Sequence, residues 1–173
     1  MLQAMRYPCR PPSNVVAPRN WHFQVLAERM RADEVDHWLA MSGADAYDAE
    51  VAARGFMTTP GLSFVVVDEL GAPVAAGGFQ QELPGAWNGW MAGTTEGWAT
   101  HWRTITKAVR WLMGQLFEQG ARRLSVDTIA TRAAATDWYA QALGMRHEGT
   151  RRRAGAHGED IVTYARIAED NQP

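Results

Sequence analysis

Apolar and polar positions recur along this chain at spacings that lay out its elements. The first twenty residues show almost no periodicity and hold four of the eight prolines, Pro8, Pro11, Pro12 and Pro18. Proline bars regular helix and central strand, so residues 1–20 read as an extended arm. From Trp21 the pattern changes. Trp21, Phe23 and Val25 alternate with His22 and Gln24, as in a half-buried strand. Behind Asp33, a capping residue type, Val35, Trp38 and Leu39 recur at helical spacing, and Gly43 supplies a stop. A second helix carries Tyr47 and Val51 and stops near Gly55.

Leu62–Val67 is apolar but for Ser63 and rich in valine, the signature of a central strand. Gly71 turns the chain and Val74–Phe79 returns beside it. Gly77 and Gly78 have no side chains to pack, which implies that something approaches the backbone there. A fourth strand spans roughly Trp87 to Gly93. Ile105, Ala108, Val109, Leu112, Leu116 and Phe117 share one helical face. That helix opens near Thr100 or Thr104 and is closed by Gly120. Arg123–Asp127 is the next strand, and a short helix and a two-strand hairpin ending near Arg166 follow. The order β-α-α-β-β-β-α-β-α-β-β predicts one α/β domain over residues 21–167, with a tail over 168–173.

Composition narrows the partners. With 173 residues, 46% apolar and 21% charged, the chain has enough material for one packed core. A net charge of −2 offers no basic field to hold nucleic acid. No apolar run reaches the roughly 18–20 residues that span a bilayer, so no membrane partner is expected. The first residues are too polar and proline-interrupted for a signal peptide. Cys9 is the single cysteine, which excludes an internal disulfide and a cysteine zinc site. The expectation is cytoplasmic synthesis and no metal. Eight tryptophans, five of them between Trp87 and Trp111, predict an indole-rich core.

One segment carries chemistry. Ala135-Thr-Asp-Trp138-Tyr139-Ala-Gln-Ala-Leu-Gly144-Met145 resembles the A-x-x-F-Y-x-x-x-G-F signature of the GNAT N-acetyltransferase superfamily. The resemblance implies the GNAT acyl-CoA N-acyltransferase fold. Its mixed sheet of six or seven strands is splayed beside the fourth and fifth, with helices on both faces. It also implies acetyl-CoA as co-substrate, an amine as acceptor, and Tyr139 beside the thioester sulfur as acid for the leaving thiolate. In the family the diphosphate lies on backbone N–H groups after the fourth strand, in an R/Q-x-x-G-x-G/A loop; the physics is anion binding at a helix N-terminus. Carried onto this sequence, the cofactor contacts are Met91, Ala92, Gly93, Gly97, Trp98, Ala99 and Thr100. Arg132 stands where members often have Asn and is a candidate for a phosphate. The loop departs from the family: Thr94 replaces the Arg or Gln, Glu96 sets a negative charge where phosphate lies, and Trp98 adds bulk.

A base is harder to find. The fourth strand has no carboxylate; Glu82 is the nearest substitute and His101 the second. His22, His37, His147 and His157 lack ligand spacing and read as surface or hairpin residues. Arg151–Arg153 reads as a solvated strand or a surface for an acidic partner. A second resemblance comes from Asp68-x-x-Gly71-Ala-Pro-Val-Ala-Ala-Gly77-Gly78, the Trp-rich fourth strand and the long helix near Trp102. These are similar to the GNAT-like internal virion proteins of short-tailed bacteriophages, which also lack the glycine-rich loop. That likeness implies a structural assembly protein located in a virion. In that reading the arm, through Tyr7, Val15 and Val16, docks on another subunit.

Overall fold

The structure is a computed structural model and describes residues 11–168. Its sheet has seven strands in the order β1-β2-β3-β4-β5-β7-β6, all antiparallel except the β4–β5 pair. They are β1 (Val15–Val16), β2 (Leu62–Val67), β3 (Pro73–Leu83), β4 (Ala86–Gly93), β5 (Arg123–Ile129), β6 (Arg146–Arg151) and β7 (Ile161–Ile167). Helices α1 (Asn20–Glu28), α2 (Ala32–Ser42) and α3 (Ala49–Thr58) precede β2. Helix α4 (Thr95–Glu118) links β4 to β5, and α5 (Ala133–Asp137) runs into a π-helical turn, Trp138–Ala142. The segments 62–67 and 123–127 therefore share one sheet, and the expected mixed sheet covered on both faces is what forms.

The valine-rich run of β2 explains the layering. Successive side chains on a strand point to opposite faces. Phe64 and Val66 face α4 and pack with Ile105, Leu112, Met113 and Leu116. Val65 faces the other way, into a second cluster with Phe23 and Leu26 of α1 and Ala52 and Ala53 of α3. A central strand buried on both faces has no room for alternation.

Three sequence expectations are corrected. Residues 21–25 are helix, not strand: the buried set His22, Phe23, Leu26 and Ala27 has helical spacing, and Trp21 is exposed. Period two over five residues was too short a window to exclude period 3.6. Asp33 is not the cap of α2; Arg31 holds that position and Asp33 sits in the first turn. The arm is not wholly free. Val15 and Val16 pair with Val66 and Val65, and Val15 is buried in the domain's own core. Residues 1–10, with Tyr7, lie outside the described residues. Gly77 and Gly78 are approached by their own neighbours: a Cβ on Gly77 would lie 3.2 Å from the Phe64 ring, and one on Gly78 would meet the Leu62 carbonyl.

Because Val15 is buried against the core, Val15→Asp is expected to lower the unfolding free energy by more than about 2 kcal/mol. Urea denaturation followed by tryptophan fluorescence measures it, and an unchanged midpoint would detach β1 from the domain.

Candidate active site in the splay between β4 and β5

Strands β4 and β5 pair only from Ala86–Arg123 to Gly89–Val126. Beyond that they diverge, and a cavity of about 240 Å³ opens in the gap. Phe64, Gly77 and Phe79 form its floor, Trp98, Trp102 and Val109 of α4 one wall, and Arg31, Glu34 and His37 another. Trp138 and Tyr139 close the remaining side with Asp127 and Arg132. The tryptophans are thus divided. Trp87 is buried core, Trp90 stacks on Phe56 at 5.3 Å, Trp98 meets Trp138 edge-on at 5.2 Å, and Trp102 is exposed at the cavity.

Backbone groups on a strand alternate between its two edges. The Thr94 N–H points back to the Val74 carbonyl on β3, while Gly93 accepts from the Arg31 N–H and donates to Glu34 on the other edge. Met91, two residues before Gly93, therefore presents its peptide groups to the opening.

Glu34 is the centre of the polar wall. It is 3% exposed, and its carboxylate accepts from the Gly93 N–H at 2.6 Å and the Trp98 indole at 2.9 Å. It also pairs with Arg31 at 3.0 Å and lies 3.7 Å from Arg132. Burial pushes its pKa up; Arg31, the Gly93 N–H, Arg132 and Trp98 pull it back. The Arg31 guanidinium lies over the Trp98 ring at 4.8 Å. Gly93 needs to be glycine here, since a Cβ would come within 2.6 Å of the Trp98 nitrogen.

Tyr139 is buried beside Thr128, and burial raises its pKa against the opposing Arg132 charge. The hydroxyl is a neutral donor at physiological pH. Its position comes from the π turn, in which the Leu143 N–H reaches the Trp138 carbonyl; such turns often re-aim functional side chains. Helix α4 fixes that turn: the Trp138 indole donates to Thr106 at 2.9 Å and Arg110 donates to the Ala142 carbonyl at 2.6 Å. Gly144 then leaves the helix with φ +66°, a left-handed conformation that suits glycine.

The residues expected to hold diphosphate stand in a helix rather than a loop. Helix α4 starts at Thr95, capped by the Thr94 hydroxyl accepting from the Gly97 N–H at 2.9 Å. The expected opening near Thr100 or Thr104 is corrected by that cap, since the Thr94 hydroxyl closes the first turn ahead of Thr100. Gly97 is small for packing, because a Cβ there would meet the Val74 carbonyl. Ala99 and Thr100 are exposed on the second turn, and Glu96 pairs with Arg29 at 3.6 Å. Ala92 is buried in β4. Arg132 is buried against Asp33, which accepts from its Nε at 2.9 Å.

The two candidate bases are not brought to Tyr139. Glu82 is exposed near the β3–β4 turn, where the Asn88 amide donates to it at 3.2 Å, and it does not line the cavity. His101 is half-buried on α4 and does not line it either. His37, read as a surface residue, does line it, and its Nδ1 is buried with no hydrogen-bond partner. Burial holds its pKa at about 4, with Arg132 pushing the same way and Asp127 and Asp33 opposing. Among the described residues no cluster of metal-ligating side chains occurs, and no helix is long and apolar enough to cross a membrane.

No protein-family model matches the chain, and no curated protein does. Solved structures do. A probable GNAT-family acetyltransferase from Chromobacterium violaceum superposes with a TM-score of 0.67 at 19% identity, over 97% of this chain and 98% of that one. The chain has the GNAT fold. A ribosomal-protein-alanine N-acetyltransferase from Brucella melitensis gives a TM-score of 0.69 at 15% identity, over 88% of this chain and 98% of its own. A GNAT phosphinothricin acetyltransferase from Sinorhizobium meliloti, solved in complex with AcCoA, gives 0.69 at 15% identity, over 88% and 86%.

His37 makes a stability prediction with a defined sign. Its folded pKa of about 4 lies below the unfolded value of 6.5. The unfolded chain therefore binds more protons between these limits. Stability is full above pH 6.5 and falls by about 2–3 kcal/mol as pH drops to 4. Urea midpoints at pH 7 and pH 4.5 should show that His37→Gln removes this part of the acid sensitivity; parallel curves for the two proteins would contradict it.

Proposed function

We propose that this GNAT-fold protein transfers an acetyl group from acetyl-CoA to an amine, with a divergent diphosphate site. The observation that supports it is the cavity in the β4–β5 splay, which has the Tyr139 hydroxyl on one side and the peptide groups of Met91 on the other. In this reading the pantetheine arm runs along the Met91 edge and its amide pairs with that backbone. The thioester lies against Tyr139. The amine nitrogen attacks the carbonyl carbon, the C–N bond forms and the C–S bond breaks, and the departing sulfur takes the Tyr139 proton. A buried neutral phenol suits that task, because it is protonated at working pH and faces charge that develops only during the reaction.

The diphosphate, in this reading, meets the first turn of α4. Gly97 N–H is already capped there and Glu96 repels phosphate, so the anchor is weaker than a glycine-rich loop. A second reading has a specific observation behind it: Glu34 and Thr94 already satisfy the N–H groups of Gly93 and Gly97. That favours a GNAT-like protein that no longer binds CoA and serves as a structural part, for which a phage virion is the candidate setting. Titration with acetyl-CoA separates the two. Dissociation constants at or below the high micromolar range support the enzyme, and no binding at millimolar concentration supports the structural protein.

Two substitutions refine the test. Tyr139→Phe is expected to reduce turnover about 10- to 1000-fold while changing acetyl-CoA affinity less than about threefold. Equal turnover would remove Tyr139 from the chemistry. Glu96→Gln is expected to tighten acetyl-CoA binding at low ionic strength, because it removes a like charge from the phosphate end; weaker binding by calorimetry would place the diphosphate elsewhere.

A further inference from the structure

We infer that His37 is the proton acceptor of the transfer step, taking the proton that the amine nitrogen loses as it bonds to the acyl carbon. The inference rests on the acetyl-transfer reading above and goes beyond it by naming the base. Two observations carry it: His37 lines the cavity that Tyr139 also lines, and its Nδ1 is buried with no hydrogen-bond partner. A buried polar atom left unpaired costs on the order of 1–3 kcal/mol, so it calls for an explanation. With Nδ1 enclosed, Nε2 is the ring nitrogen left for an acceptor amine to reach.

Elimination among the described residues points the same way. Six titratable side chains line the cavity: Arg31, Glu34, His37, Asp127, Arg132 and Tyr139. The arginines have no lone pair to offer. Glu34 already accepts from Gly93, Trp98 and Arg31. Asp127 accepts from Thr163 and from Arg151 at 2.8 Å. Tyr139 is the donor on the opposite task. His37 alone is left with an accepting nitrogen, and in its neutral form it holds one lone pair whichever tautomer is present. Its helical position supports the geometry. Glu34 and His37 are three residues apart on α2, so they share the face turned to the cavity, and the ion pairs of Glu34 anchor that face.

The proton balance closes without another reactant. The amine proton passes to His37, the Tyr139 proton passes to the leaving sulfur, and the imidazolium returns its proton through water to the tyrosinate. Burial, the largest effect, and Arg132 oppose the imidazolium, while Asp127 and Asp33 partly favour it, so the imidazolium readily gives its proton back.

The test uses the full chain and two readouts. Acetyl-CoA binding is measured by calorimetry. Thiol release is measured with three amines, a glycyl-alanine dipeptide, Nα-acetyl-lysine and spermidine. His37→Gln and His37→Ala are expected to bind acetyl-CoA within about threefold of the unsubstituted protein and to turn over at least about 100-fold more slowly. Added imidazole should restore part of the rate to His37→Ala and none to the unsubstituted protein. Full turnover in His37→Gln overturns the inference and leaves the acetyl-transfer reading standing. Loss of acetyl-CoA binding in both variants overturns it too, by making His37 structural. Unsubstituted protein that binds acetyl-CoA but acetylates none of the amines counts against it. Unsubstituted protein that does not bind acetyl-CoA overturns the reading beneath it and the inference together.

Discussion

The divergence of β4 from β5 after Gly89 is the constraint on which the rest depends. Two neighbouring strands that stop pairing leave a row of peptide groups that must find other partners. On β4 the chain supplies them from α2 and from the link before it: the Arg31 N–H reaches the Gly93 carbonyl, and Glu34 accepts from the Gly93 N–H. The same carboxylate draws in Trp98, Arg31 and Arg132. Helix α2, the start of α4 and the segment entering α5 are thus joined through one buried acid. Removing one partner from such a group strands the other charges, which is far costlier than the pairing itself is favourable.

Filling that gap with ion pairs has a chemical effect. It uses donors at the distal end of β4 and leaves the middle of the strand, at Met91, turned to the cavity. The charges lining the cavity balance, Glu34 and Asp127 against Arg31 and Arg132, while the floor is apolar. Charge formed inside such a cavity is poorly screened by solvent, so a proton moved between Tyr139 and His37 would be felt strongly by these fixed groups.

Much of this architecture was legible in the sequence, and the reasons differ by element. The β2 run named a strand buried on both faces, the α4 face carried a long helical period, and the Tyr139–Gly144 segment was legible through its resemblance to a family signature. The stretch 21–25 was too short to carry a period, and the helix there is decided by what it packs on, Phe56 and Trp90 among others. The position of Tyr139 was legible from the motif, but the π turn that aims it leaves no pattern in the residues. Glu34 and His37 were invisible as site residues because their neighbours, Gly93 and the cavity floor, are some thirty to sixty positions away in the chain. Glu82 adjoins the fourth strand in sequence, but closeness along the chain does not bring it to the cavity. The hairpin instead carries it to the exposed end of β3.

The two margins of the sheet differ in a way that bears on how copies of this protein meet. Strand β1 is only two residues long. Strand β6, at the other margin, reads Arg-His-Glu-Gly-Thr-Arg, with Arg146, His147, Glu148, Thr150 and Arg151 all exposed. A short stub and a charged strand are poor templates for adding a foreign strand. Runaway stacking of sheets from neighbouring molecules is therefore discouraged at both ends of the described sheet.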